Sequence, residues 1–84
     1  MPYIPAARRQ VLDACEDFAV DCGELNYQLT KLVLDFLHRR PRKYENFNGA
    51  MGALESCKQE LYRRAVAPYE DEKKVFAGDV YANG

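Results

Sequence analysis

The stretch FNGAMGALESCKQELYRRAV, running from Phe47 to Val66, decides the fold. Phe47, Ala50, Leu54, Cys57 and Leu61 follow one another at alternating steps of three and four, and on a helix that spacing draws one continuous apolar seam. Met51 and Ala65 widen the seam toward the breadth of a core-facing stripe, while Glu60, Arg63 and Arg64 fall outside it. A seam of this kind needs cover. The long helix, read as residues 45–66, is therefore expected to pack on the segments that precede it.

The segment before it, residues 24–39, carries the matching face: Leu25, Leu29, Leu32 and Phe36 form one stripe, which Val33 and Leu37 broaden. It also carries a second one. Tyr27 and Leu34 lie a heptad apart on the other side, with Thr30 between them and His38 beyond, so a single partner helix cannot cover both faces. Either the first helix takes the second stripe or another copy of the chain does, since small domains often complete their cores by associating. The expectation adopted is an interface between copies at Tyr27, Thr30 and Leu34.

Upstream, Tyr3-Ile4-Pro5 reads as an extended arm over residues 1–5, because Pro5 fixes its own torsion and pushes Ile4 out of helical space. From residue 6 to 21, Val11, Cys15, Phe18 and Cys22 recur at helical spacing, and Gly23 separates this helix from the next. Its charges run against the helix dipole, with Arg8 and Arg9 in the first turn and Asp17 and Asp21 in the last. Surface pairing such as Arg9 with Asp13 is one reading, and a cationic helix start that meets an anion is the other.

The run His38-Arg39-Arg40-Pro41-Arg42-Lys43 closes the middle helix at Pro41. It reads as a solvated turn whose cations favour a helix carboxyl end, or as a phosphate contact. Its shortness makes the second and third helices antiparallel neighbours. Gly49 and Gly52 mark close helix packing or a backbone approach to a ligand. Pro68 is expected to end the long helix, leaving residues 68–84 as an extended tail docked through Tyr69, Val75, Phe76, Val80 and Tyr81, with a helical turn over 70–74.

Eighty-four residues allow one domain with a thin core of its own. Twelve basic against thirteen acidic side chains leave no global field for nucleic acid or an anionic membrane, so charge-driven binding is local. The opening MPYIPAARR has no apolar run before a cleavage site, and no window nears the length of a membrane span, which places the chain in the cytoplasm. Cys15, Cys22 and Cys57 are odd in number, lack a metal spacing, and read as reduced core residues.

The catalytic inventory is thin. His38 is the one histidine and stands in a basic run, without a nucleophile motif around it. The acids Glu70-Asp71-Glu72 point in different directions on a helix, and glycine-rich nucleotide loops are missing. No enzyme, cofactor or metal site is expected. Capture of a small anion asks for less: forked guanidinium groups and an aromatic face to stack on a base. Tyr3 with Arg8 and Arg9 supplies one such set, and Tyr62 with Arg63 and Arg64 another.

MPYI at the start, Gly23-Glu24-Leu25-Asn26-Tyr27 with Thr30, Gly52-Ala53-Leu54-Glu55, Leu61-Tyr62-Arg63-Arg64, Pro68-Tyr69-Glu70-Asp71-Glu72-Lys73 and Gly78-Asp79-Val80-Tyr81 together resemble a family of small uncharacterised proteins common in phages and prophages. That resemblance spans nearly the whole chain and implies a bacterial or phage-infected cytoplasm rather than a chemistry. A fainter one is to the phage sponge proteins that sequester cyclic oligonucleotide immune signals, which are small helical proteins forming hexamers. It rests on the Tyr3-x-Pro5 arm before a helix and on Arg64-Ala65-Val66 ahead of Pro68. It implies that Tyr3 stacks on a base. The phosphate-binding lysine of those proteins has no counterpart, since acids stand in that region at Asp17 and Asp21, and Arg8 or Arg9 would have to serve instead.

The sequence therefore points to an all-α three-helix bundle with a long helix in its C-terminal half and a docked tail. Its expected role is non-catalytic binding, with copies of itself as partners and a nucleotide-like anion held at their interface. A host protein bound through the tyrosine-rich surface, or a small structural subunit, is the alternative.

Overall fold

The computed structural model describes residues 2–81, and these are helix and connecting turn, with no strand among them. The elements are α1 (Ala6–Asp13), α2 (Cys22–His38), α3 (Tyr44–Leu61), a π-helical turn (Tyr62–Val66) and α4 (Ala67–Ala77). The all-α class stands. The contacts divide the chain into two compact units, one up to Phe47 and one from Asn48. Of the packing that a three-helix bundle needs, the first unit supplies that of α1 on α2.

The first helix is half the length its periodicity suggests. It stops at Asp13, where Cys15 N donates to Leu12 O and Glu16 N to Val11 O, both at 3.1 Å. Those two bonds close a Schellman turn, which needs a left-handed residue at its corner. Cys15 fills that place with φ 58°. A side chain there costs about 1 kcal/mol relative to glycine. Cys15→Gly is therefore expected to raise stability by about that amount, read as a higher midpoint in urea with an unchanged slope. Beyond the turn the chain leaves the helical path, and Phe18, placed by its spacing in the core, is 86 % exposed. Cys15, Cys22 and Cys57 are exposed thiols too, rather than core residues.

The same early stop takes Asp17 and Asp21 out of the last turn of α1, while Arg8 and Arg9 stay at its start. Asp21, expected in the last turn of the first helix, is the N-cap of α2 in extended conformation, and its Oδ1 accepts from Glu24 N at 2.8 Å. A carboxylate is favourable at that end. Gly23 lies inside the first turn of α2 rather than between helices. At the other end, the α2 carbonyl of Phe36 accepts from Arg40 Nη1 at 2.7 Å while the guanidinium lies 3.5 Å from the Phe36 ring centre.

In the second unit Pro68 does not end the helix. Helical torsions continue through Leu61, Val66 and Ala67, and Ala67 N–H reaches back five residues to Tyr62 O. This π-turn adds one residue to the winding just ahead of Pro68, and the wider turn gives the ring room where an ordinary α-helix would set it against the carbonyl four residues back. The stretch expected to be an extended tail is thus α4 as far as Ala77, ended by Gly78 at φ 84°. Its intended anchors are not docked: Val80 is 92 % exposed, and Val75, Phe76 and Tyr81 are exposed as well. Residues 82–84 of the expected tail lie outside the described residues.

Gly49 and Gly52 do not mark tight packing within the chain, because a Cβ at either position meets nothing within 4 Å. Both sit inside α3, where glycine is the costliest residue short of proline. Gly49→Ala and Gly52→Ala are each expected to stabilise the chain by about 1 kcal/mol, measured as a raised denaturation midpoint.

Candidate functional site

Three groups of residues bear on function: the arginine-bearing start of α1, the faces of α2, and the tyrosine and arginines of the π-turn.

Arg8 is the most engaged side chain of the three. Its guanidinium donates to Asp17 Oδ2 at 3.0 Å, to Phe18 O at 2.9 Å and to Glu24 Oε1 at 2.8 Å. Glu24 is 8 % exposed, and its Oε1 also accepts from Val20 N at 3.1 Å. The clamp ties α1, the connection after it and the first turn of α2 together. It holds the Glu24 carboxyl below its ordinary pKa, chiefly through Arg8 and then Val20 N–H. It does the same for Asp17, chiefly through Phe18 N–H and then Arg8. Arg8 is held above its ordinary value by the two carboxylates, Glu24 foremost. Of the set Tyr3, Arg8 and Arg9, the middle member is thus committed to carboxylates of its own chain, whereas Tyr3 and Arg9 are exposed. Asp13, the expected partner of Arg9, instead accepts from Tyr27 Oη at 2.8 and 2.9 Å to its two oxygens.

That bond bears on the predicted association face. Tyr27 is half-buried and held by α1, and its phenol is pushed above its usual pKa by the Asp13 carboxylate. Thr30 Oγ1 donates to Asn26 Oδ1 at 3.1 Å along the same helix. Leu34 alone of the three is exposed. The face that the first unit leaves uncovered is the other one: Leu25, Leu29 and Phe36 are exposed, and Leu32 is 69 % exposed. Of the α3 seam Ala50 is buried, whereas Leu54 and Leu61 are exposed and Met51, beside it, is at 67 %.

In the π-turn, the Tyr62 phenol lies beside the Glu70 carboxylate, which raises its pKa. A groove beside it is lined by Glu70, Asp71 and Asp79 as well as Lys73, Lys74 and Tyr81. Arg63 forks onto Glu60, with Nε to Oε1 at 2.9 Å and Nη2 to Oε2 at 3.0 Å. Arg63 is thus engaged by a carboxylate of its own helix, whereas Arg64 is exposed and forms no ion pair among the described residues. The structure brings Tyr62 and Glu70 together, a pairing eight residues apart that no helical repeat in the sequence announces.

Among the described residues no group of three or more His, Cys, Asp or Glu side chains is placed to hold a metal ion. No helix among them is long and apolar enough to cross a membrane. A family model for a domain of unknown function, DUF6899, matches residues 1–80. No curated protein and no solved structure matches the chain significantly.

Proposed function

For this chain, which belongs to the DUF6899 family, we propose a non-catalytic binding role in which copies associate through the uncovered leucine stripe of α2. The observation that carries the reading is that stripe: Leu25, Leu29, Leu32 and Phe36 lie in one row and stay exposed while α1 occupies the neighbouring face of the helix. A row of large apolar side chains left in water is unfavourable by roughly 25 cal/mol for each Å² that association could bury. Relative to the sequence expectation, the proposed contact moves from Tyr27 and Thr30 to the adjacent row, with Leu34 at its edge.

The proposal includes the setting carried by the resemblance, a cytoplasmic phage-type protein, and capture of a nucleotide-derived signal where copies meet. Tyr3 and Arg9 support that part, since both are exposed and Arg9 makes no ion pair among the described residues. Native mass spectrometry of freshly purified protein tests both halves together. Species of more than one copy, retaining a small molecule that Arg9→Glu releases, are the expected result. A bare monomer at micromolar concentration would overturn it.

A second reading, an adaptor that docks a host protein, is favoured by α4, on which Tyr69, Val75 and Phe76 are all exposed. On that reading, deleting residues 69–84 abolishes capture of one protein from bacterial lysate.

A further inference from the structure

We infer that the turn between α2 and α3 is a binding site for an organic phosphate monoester, with Arg40 and Arg42 on the phosphate and the body of the ligand on Leu37 and Phe47. This goes beyond the association proposed above, because the site is built within one unit of one chain and needs no second copy.

The site starts from charge. Arg39, Arg40, Arg42 and Lys43 stand within five residues of a chain whose net charge is −1. Among the described residues none of them forms an ion pair, whereas Arg8, Lys58 and Arg63 each do. Like charges packed this closely repel one another, and an anion that neutralises them relieves the repulsion.

The turn is also held in shape. Pro41 O accepts from Lys43 N at 2.9 Å and from Asn46 Nδ2 at 2.7 Å, and Arg40 N donates to Leu37 O at 3.1 Å. Arg40 is fixed in turn, its guanidinium against the Phe36 ring and its Nη1 on Phe36 O. One of its five donors is thereby used, and the rest of the planar fork suits phosphate oxygens. A cationic group that is already positioned loses little freedom when the anion arrives.

Shape then selects the ligand. The turn encloses a groove of about 450 Å³ lined by Arg40, Arg42, His38 and Asn46 on its polar side and by Leu37 and Phe47 on its apolar side. Inorganic phosphate fills the polar side alone. A monoester with an aromatic body covers both, and a nucleoside monophosphate and a simple aryl phosphate present the same chemistry. The Tyr62 groove of the second unit, with three carboxylates in its lining, is no competitor for such a ligand.

Isothermal titration at low salt with phenyl phosphate, adenosine 5′-monophosphate, inorganic phosphate and adenosine tests the assignment. Both monoesters are expected to bind, about tenfold tighter than inorganic phosphate from the added apolar contact, and adenosine not at all. Preference for one monoester over the other identifies which kind of body the groove accepts. Arg42→Gln is expected to weaken binding about tenfold, with a far-UV spectrum unchanged, and Arg40→Gln to do the same where it folds. Lys73→Gln with Lys74→Gln, on α4, leaves binding as it was. Equal affinity for inorganic phosphate and the monoesters, no binding at millimolar ligand, or equal loss from the lysine pair would each overturn the site.

Discussion

Arg8→Met is expected to lower the melting temperature by several degrees and to loosen the connection between α1 and α2. Eight residues are too few for a helix to persist on its own, so α1 depends on what fastens it to α2. Leu12, which is buried, the Tyr27–Asp13 bond and the Arg8 guanidinium are the fastenings. Methionine keeps most of the stem and removes all three donors at once, leaving the Glu24 carboxylate sheltered from water without its cation. Arg9→Met is the control, one position along the same helix, where no ion pair is lost. Thermal melts followed at 222 nm read the difference, and equal losses from the two variants would show that the clamp contributes nothing.

The clamp carries a pH signature. Glu24 and Asp17 both titrate lower in the folded chain than in the unfolded one, where carboxyls titrate at about 4. Folding therefore favours their ionised forms. That contribution is complete above the unfolded range and disappears as the pH falls through it toward the lowered folded values. Arg8 stays protonated throughout. The melting temperature of the wild-type chain is accordingly expected to fall more steeply on acidification than that of Arg8→Met, and the two curves to converge at low pH.

How much of this was legible follows from the range of each signal. The three- and four-step spacing of Phe47, Ala50, Leu54, Cys57 and Leu61 is local, and α3 forms where it says. Local spacing misled at Cys15, Phe18 and Cys22, whose helical period is coincidental. The competing signal was present in Asp21-Cys22-Gly23-Glu24, an N-cap acid followed three residues later by glutamate, which starts a new helix. Pro68 misled because the rule that proline stops a helix assumes α winding, and the π-turn escapes it. The site residues were harder. Arg8 finds Glu24 sixteen residues away and Tyr27 finds Asp13 fourteen away, and such pairings depend on how α1 lies on α2, which no single-helix periodicity encodes. Arg8 consequently looked like a group awaiting an anion when its anions were in the chain.

The largest change expected of any single substitution is at the α2 stripe. Leu29 lies between Leu25 and Leu32 in the exposed row, so in an association through that row it is central rather than peripheral. Replacing it by aspartate forfeits the burial of one leucine and forces a carboxylate against apolar side chains, together about 2–3 kcal/mol. Where two copies meet by a twofold axis the same residue enters from both sides, so the cost doubles to about 4–6 kcal/mol and weakens association by at least about a thousandfold. Because Leu29 is already exposed in the single chain, its replacement leaves the helical spectrum intact while the mass measured by light scattering falls to that of one copy. Glu16→Gln, on the exposed connection after α1, leaves the assembly unchanged. An unaltered assembly after Leu29→Asp would move the contact to another surface, and a monomer before and after the change with a lowered melting temperature would mean that the stripe is covered from within its own chain.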